Sequence, residues 1–178
     1  DAGRLRAVLS PENGGFARAC NQGARAAAGT YLLFLNNDTE VQPGWFEPLV
    51  AVLDADLRIG AVGSKLLFPN GAIQHAGVII VDDQRSGKGL VPTHIHYREI
   101  VDPSQVNQSM TFQALTAACL LIRRSVFEQV HGFEEDYRNG YEDVDLCFKM
   151  QECGWLMVYE PKSVVIHYES QSGAERFS

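Results

Sequence analysis

Tyr31-Leu32-Leu33-Phe34-Leu35-Asn36-Asn37-Asp38 is the stretch on which the fold turns. Its five apolar residues follow Gly29-Thr30 and end in three polar ones. A short continuous apolar run bounded by turn residues reads as a strand buried on both faces, the kind found inside parallel sheets. Open α/β sheets place their ligand chemistry at the carboxyl ends of such strands. Asp38 therefore stands with one side toward the core and the other toward a cleft. A hard divalent cation shared with a substrate phosphate suits that setting, because magnesium-like ions take one or two carboxylates plus phosphate oxygens. Taken alone, the tripeptide reads first as an Asx turn that closes a strand and does no more.

Upstream, Arg6-Ala7-Val8-Leu9 reads as a short strand ending at Ser10-Pro11, followed by the turn-forming Glu12-Asn13-Gly14-Gly15. Residues 16–28 place Phe16, Ala19, Cys20 and Ala24 on one helical face, with Gly29 as C-cap. The expected opening is a strand–helix–strand unit with parallel pairing. Downstream, Pro43 lies near a helix start, and Trp45, Leu49, Val52 and Leu53 recur at helical spacing. Residues 59–62 and 65–68 read as strands, Asn70-Gly71 as a hairpin turn and residues 76–81 as the returning partner. Residues 82–110 have weak periodicity and are expected to form one long functional or mobile loop. A strand over 113–122 and a short helix capped by Ser125 and ended by Gly132-Phe133 follow. Then come a loop over 134–140, a helix ending at Gly154, a strand over 155–159 and the apolar Val164-Val165-Ile166 before His167.

The chain has 178 residues, 46% of them hydrophobic, enough for one domain with a proper core. Its net charge of −7 argues against a nucleic-acid partner, which a basic face would have to neutralise. A nucleotide is not excluded, since one metal and a few amides hold a diphosphate locally. No apolar run reaches the roughly 18 residues of a membrane span. Cys20, Cys119, Cys147 and Cys153 fall singly in apolar surroundings without a C-x-x-C pair, so free buried thiols are expected over disulfides or a zinc site. The chain opens at Asp1-Ala2-Gly3 without an initiator Met and reads as an excised piece.

A second acidic cluster, Glu142, Asp143 and Asp145, opens the helix before Gly154. Compensation of the helix dipole accounts for one or two acids in a first turn. His167, at a strand or loop junction, reads alone as a structural or surface residue. Its ring completes a metal site if the chain folds it toward Asp38. His94 and His96 share one face of an extended segment, with no acidic or thiol partner expected nearby. A strand-end Asp, an acidic helix start and a late His, converging on one cleft, would supply a cation site and a separate general base.

In order along the chain, several segments resemble family 2 glycosyltransferases of the GT-A fold, an α/β architecture with a mixed sheet flanked by helices. They are Asn13-Gly14-Gly15-Phe16-Ala17-Arg18-Ala19-Cys20-Asn21-Gln22-Gly23, the stretch ending Asn36-Asn37-Asp38-Thr39, and Ala117-Ala118-Cys119-Leu120-Leu121-Ile122-Arg123-Arg124 with Gly132-Phe133-Glu134-Glu135. Tyr141-Glu142-Asp143-Val144-Asp145-Leu146-Cys147 and Val165-Ile166-His167-Tyr168-Glu169-Ser170 complete the set, the last being similar to the closing motif of bacterial rhamnosyltransferase-like members. The resemblance implies inverting transfer of a sugar from a nucleoside-diphosphate donor to a glycan or lipid-linked acceptor hydroxyl, with manganese or magnesium as cofactor. It assigns Asp38 and His167 to the metal and Asp143 to the general base. It puts Arg18, Asn21, Asn36 and Asn37 on the nucleotide side, with Asn36 where the family's D-x-D pattern has its first acid. Residues 1–81 become the nucleotide and metal side of a single domain over 1–178, and 82–178 the acceptor and base side.

By the same resemblance, the protein is expected to work in bacterial surface-polysaccharide synthesis, in the cytoplasm at the inner membrane face. Family members usually begin with a further strand not visible before Asp1, so the domain is expected to be N-terminally truncated. The isolated segment would then transfer weakly, with an uncovered surface that favours a homo-oligomer. Two other readings stay open. Nucleotidyl transfer would want a basic Gly-rich loop, of which Gly14-Gly15 with Arg18 is a poor version. A non-catalytic carbohydrate-binding or assembly domain would keep the fold without the chemistry.

Overall fold

A seven-stranded mixed sheet forms the centre of the molecule. The computed structural model describes residues 5–84, 87, 89–137 and 140–168. In chain order the elements are α1 (Gly15–Ala26), β1 (Tyr31–Leu35), β2 (Thr39–Val41), α2 (Phe46–Ala55), β3 (Ile59–Leu67), β4 (Ile73–His75) and β5 (Val78–Asp83). They continue as β6 (Gly89–His94), α3 (Pro103–Val106), β7 (Met110–Thr111), β8 (Cys119–Arg123), α4 (Arg124–Gln129), α5 (Glu142–Glu152) and β9 (Leu156–His167). The sheet order is β1-β8-β3-β9-β2, with β4 added to β3 and β7 to β9. Among the described residues only β3 and β9 run parallel in this sheet; the other pairings are antiparallel.

Apolar layers cover both faces. Leu32 and Phe34 of β1 point into the layer that holds α4, α5, Phe127 and Phe133, where Phe34 and Phe133 meet edge to face at 5.0 Å. Tyr31 and Leu33 turn to the other layer, where Leu49 and Leu53 of α2 cover Ile59, Val62, Leu121 and Val158. Strand alternation explains this division. Among the described residues no helix is long and apolar enough to cross a membrane.

Several expectations are corrected. Residues 6–9 form no strand; they are exposed and make no β-ladder among the described residues, where Arg6 Nη1 donates to the Ala26 carbonyl at 3.1 Å, and a strand so short has no stability without a neighbour. The opening is therefore not a parallel strand–helix–strand unit among the described residues: β1 pairs there with β8 alone, antiparallel. It is also less buried than its apolar run implies, with Leu35 41% exposed. On α1 the buried residues are Ala17, Asn21 and Ala24, and Ala19 is exposed; the helix stops at Ala26 with an extended Ala27, short of Gly29. Ser125 lies inside α4, which has no side-chain cap; its start is set by the Arg124 N–H donating to the Thr30 carbonyl at 2.9 Å.

Long-range pairing overrides local pattern in the middle of the chain. The Asn70-Gly71 turn returns as β4, three residues earlier than expected, with Gly71 at φ +83. Residues 78–83 leave the main sheet and pair with β6 in a separate two-stranded ribbon. The expected loop over 82–110 thus contains a strand and the short helix α3, whose Asp102 and Gln105 form a capping box. Residues 59–68 and 155–167 each resolve into one long strand instead of two, with register slips between Ser64 and Lys65 where β3 meets β9. Such slips break periodicity without ending a strand. Only Cys119–Arg123 of the stretch 113–122 and its neighbour is strand.

Candidate active site

Asp38 and His167, 129 positions apart, become neighbours because β2 pairs with the end of β9. After β1 the Asn36 N–H donates to the Ala118 carbonyl at 3.0 Å. The chain turns, the Thr39 hydroxyl donating to the Asn36 carbonyl at 2.7 Å, and Thr39 then stands opposite His167. The Tyr168 N–H donates to the Asp38 carbonyl at 2.9 Å and locks the junction. The side chains follow: Asp38 Oδ1 lies 3.1 Å from His167 Nε2, and Asn36 Nδ2 3.3 Å from the same nitrogen. On the far side of the ring, Nδ1 lies 2.5 Å from Gln74 Oε1.

This donor set suits a divalent cation. A carboxylate and an imidazole supply hard and borderline ligands, with the Asn36 amide alongside. Adjacent ligands of an octahedral ion bound at about 2.0–2.1 Å sit about 3 Å apart, close to the 3.1 Å between Asp38 Oδ1 and His167 Nε2. Among the described residues no three His, Cys, Asp or Glu side chains are gathered around one point. Substrate phosphate oxygens and water would have to complete the shell.

Asp143 faces the same space from another element. Tyr141, in the left-handed region at φ +71, turns the chain into α5, and its carbonyl accepts from the Asp145 N–H at 2.9 Å. Asp143 Oδ2 accepts from the Ala117 N–H at 3.2 Å and Oδ1 from the Val144 N–H at 2.9 Å. The three acids of this turn divide their work. Asp145 pairs with Lys149 at 2.9 Å, whereas Glu142 and Asp143 line a cavity of about 620 Å³. Asn36, Gln74, Thr116 and His167 line it too. Asp38 is not among its lining residues; its Oδ1 is 3.1 Å from Nε2 of His167, which is.

The other sequence-derived candidates are dispersed. Arg18 is exposed on α1, lies against Gly14 and does not line the cavity. Asn21 is buried and its amide is taken: Nδ2 donates to the Phe133 carbonyl and to Glu135 Oε1, both at 2.9 Å, and Oδ1 accepts from the Phe133 N–H at 3.0 Å. It anchors the 133–135 segment to α1 and has no amide hydrogen bond facing the cavity. Asn37 is exposed in the turn. His94 and His96 do not form a pair: His96 Nδ1 meets Glu99 at 2.8 Å, and His94 Nδ1 meets His75 Nδ1 at 3.0 Å. His75 is fully buried, and burial, with His94 nearby, pushes its pKa well below the ordinary value. Glu169 and Ser170 of the closing motif lie outside the described residues.

Gln74, His75 and Thr116 line the cavity and were not singled out from sequence. The available signal was a polar Gln-His pair inside an apolar run, since buried polar side chains have partners to serve.

The model of the family described as Glycosyl transferase family 2 matches residues 1–130. The chain belongs to that family. Its relatives include the O-antigen biosynthesis protein RfbC of Myxococcus xanthus, 36% identical over 160 residues, which are 85% of this chain and 12% of that one. Another is the N-acetylglucosaminyl-diphospho-decaprenol L-rhamnosyltransferase of Mycobacterium tuberculosis, 32% identical over 151 residues, 80% of this chain and 48% of that one. The chain thus spans less than half the length of either relative. Among solved structures, GalNAc-T7 with UDP, GalNAc and Mn2+ superposes with a TM-score of 0.70 over 89% of this chain and 31% of that one, at 19% identity. The mannosyltransferase PcManGT of Pyrobaculum calidifontis, in complex with GDP-Man and Mn2+, gives 0.60 over 93% and 40%, at 20% identity. The fold is GT-A.

Proposed function

We propose that this family 2 domain transfers a sugar from a nucleoside-diphosphate donor to an acceptor hydroxyl, with inversion and with help from manganese or magnesium. One observation carries the reading: His167 and Asn36, joined to Asp38, and Asp143 line one cavity of a size that holds a sugar between a diphosphate and an acceptor.

Asp38, His167 and Asn36 would hold the cation beside the donor diphosphate. A cation there supplies Lewis-acid stabilisation of the charge that develops on the leaving group. Asp143 takes the proton of the acceptor hydroxyl as that oxygen attacks the anomeric carbon from the side opposite the diphosphate. The bond to the diphosphate breaks as the new glycosidic bond forms, so the configuration inverts. A carboxylate is basic enough only if deprotonation and attack are concerted. The Ala117 N–H, bonded to Oδ2, holds the base in place. Asn36 leaves the site with less negative charge than a doubly acidic pattern, so donor phosphates must contribute more of the cation's shell.

The relatives' names support a role in bacterial surface polysaccharide with a glycan or lipid-linked acceptor, and the UDP and GDP-Man complexes of the similar structures support a nucleotide-sugar donor. Calorimetric titration with UDP, GDP and dTDP, with and without manganese, tests the reading. Diphosphate binding that requires manganese and disappears in Asp38→Ala, together with an Asp143→Ala variant that binds and does not transfer, is the expected result. Binding indifferent to both substitutions would instead indicate a non-catalytic carbohydrate-binding module.

A further inference from the structure

We propose that Tyr141 recognises the acceptor: its ring is the platform on which a pyranose ring of the acceptor stacks, with one hydroxyl of that sugar turned to Asp143. This role rests on the reading of Asp143 as the general base and names what brings the hydroxyl to it.

Backbone strain marks the residue. Among the described residues four that are not glycine lie in the left-handed region: His96 (φ +55), Arg98 (φ +65), His131 (φ +61) and Tyr141 (φ +71). Bulky side chains rarely adopt that conformation, and such strain gathers at ligand sites. His96 and Arg98 flank Tyr97, and Tyr97 and Tyr141 both line the cavity of about 620 Å³. The protein itself occupies the Tyr97 ring, which meets Phe68 edge to face at 5.6 Å and lies under the Arg98 guanidinium at 5.2 Å. Tyr141 differs. Among the described residues its side chain makes no hydrogen bond and its ring no aromatic contact, and it is 57% exposed. Folding therefore gains little from this ring, while glycine would take the same φ at no steric cost. A ligand that covers the ring would offset the strain.

Position and chemistry say which ligand. Tyr141 lies two residues before Asp143, and two residues span at most about 7 Å, so a group stacked on its ring is within reach of that carboxylate. Asn36, Asp38 and His167 stand on other elements, just after β1 and at the end of β9. The ring therefore belongs to the base's side of the cavity, where the acceptor must lie. A pyranose ring has a face of C–H groups, slightly positive, which packs on the negative face of an aromatic ring, and a rim of hydroxyls. The cavity has donors for that rim. Asn13 Oδ1 accepts from the Gly15 N–H at 3.1 Å, which leaves its NH2 to donate. Thr116 Oγ1 accepts from the Ala118 N–H at 3.3 Å, which leaves its O–H to donate. One aromatic face beside a few polar groups is the lining such a ligand needs. A glycan and a lipid-linked sugar both present this kind of ring.

The test reads sugar binding without turnover. With UDP and Mn2+ present, NMR titration follows the methyl glycosides of glucose, galactose, mannose and N-acetylglucosamine, and the 1-phosphates of the same sugars. At least one should bind, with nuclear Overhauser contacts from its C–H protons to the Tyr141 ring. Tyr141→Phe, which keeps the ring face, should bind it within about twofold of wild type, and Tyr141→Gly about 3–10-fold more weakly. Glycine relieves the backbone, so that loss does not come from misfolding, and UDP binding should be equal in all three proteins. Tighter 1-phosphates would mark a lipid-diphosphate acceptor and tighter methyl glycosides a glycan; either supports the platform. Wild type that binds none of these sugars, Tyr141→Gly that binds them as wild type does, Tyr141→Phe that loses as much as Tyr141→Gly, or a matching loss of UDP would overturn it. The role of Asp143 is judged separately, by transfer in Asp143→Asn, because failure of that carboxylate as the base would leave sugar binding at Tyr141 unchanged.

Discussion

Asn36 and Asp143 are tied to adjacent residues of one segment: the Asn36 N–H donates to the Ala118 carbonyl at 3.0 Å, and the Ala117 N–H donates to Asp143 Oδ2 at 3.2 Å. The end of β1 and the start of α5 are thus held across two small residues that also line the cavity. Whatever moves residues 117–118 moves the candidate base relative to the candidate cation site.

Asp143→Asn should abolish proton acceptance while its amide oxygen still accepts from the Ala117 N–H. Transfer is expected to fall about 10²–10⁴-fold, with a modest drop in melting temperature, because the amide NH2 cannot accept from the Val144 N–H, and with little change in manganese-dependent diphosphate binding. Steady-state kinetics beside calorimetry would check this. A matched loss of binding would show that the residue serves the donor instead.

Asn36→Asp adds a negative charge 3.3 Å from His167 Nε2, where the neutral amide now stands. Manganese affinity should rise on the order of tenfold, since ligand charge tunes such sites. The metal-free protein should melt lower, because the new carboxylate faces Asp38. Thermal melts in EDTA and in manganese should move in opposite directions relative to wild type.

Tyr141 holds φ +71 and is 57% exposed, so its side chain buries little while its backbone is strained. A non-glycine residue in the left-handed region costs about 1 kcal/mol or more. Tyr141→Gly should melt above Tyr141→Ala by roughly 2–4 °C, because only glycine relieves that conformation. Equal melting of the two variants would show that no strain resides there.

Three of the four cysteines should be unreactive in the folded protein. Burial pushes the thiols of Cys20 and Cys147 up to about 12 and that of Cys119 to about 11. Cys153 is exposed at the end of α5. The thiolate is the nucleophile, so Cys153 alone should alkylate quickly at neutral pH, and the others only after unfolding. Peptide mapping after brief iodoacetamide treatment would count them.

His75 is buried neutral, with His94 Nδ1 at 3.0 Å and the Tyr159 ring 6.4 Å away. Its folded pKa lies below the ordinary 6.5, so below that pH the unfolded chain takes up a proton that the fold refuses. Stability is therefore complete above the unfolded value and declines as pH falls, by at most about 1.4 kcal/mol per pH unit. Denaturant titrations between about pH 5 and 6.5 should show this slope, and His75→Asn should flatten it.

Part of the candidate site is legible in the sequence alone. A carboxylate at the end of an apolar run, an acidic helix start and a histidine after Val-Val-Ile stand out locally, and the structure places Asn36, Asp143 and His167 on one cavity. Arg18 and Asn21, which the resemblance put on the nucleotide side, do not line the cavity. Both sit on a recognisable helix, but which face turns inward depends on the 133–135 segment that Asn21 grips. The ribbon of β5 and β6 escaped notice because Gly, Pro and His interrupt its alternation. Strand pairing is a property of two distant segments, and neither carries it alone.

Local chemistry written along the chain, then, determined the identity of the family, the helices α1, α2 and α5, and the residue types able to hold a cation or a proton. Tertiary structure alone decided that Asp38 meets Nε2 of His167 and that Gln74 meets Nδ1 of the same ring. It also decided that β1 pairs antiparallel with β8. Side-chain periodicity is encoded over a few residues, whereas the approach of residues 38, 74 and 167 is set by β-sheet register. Register is chosen by the burial of whole faces and not by any one segment.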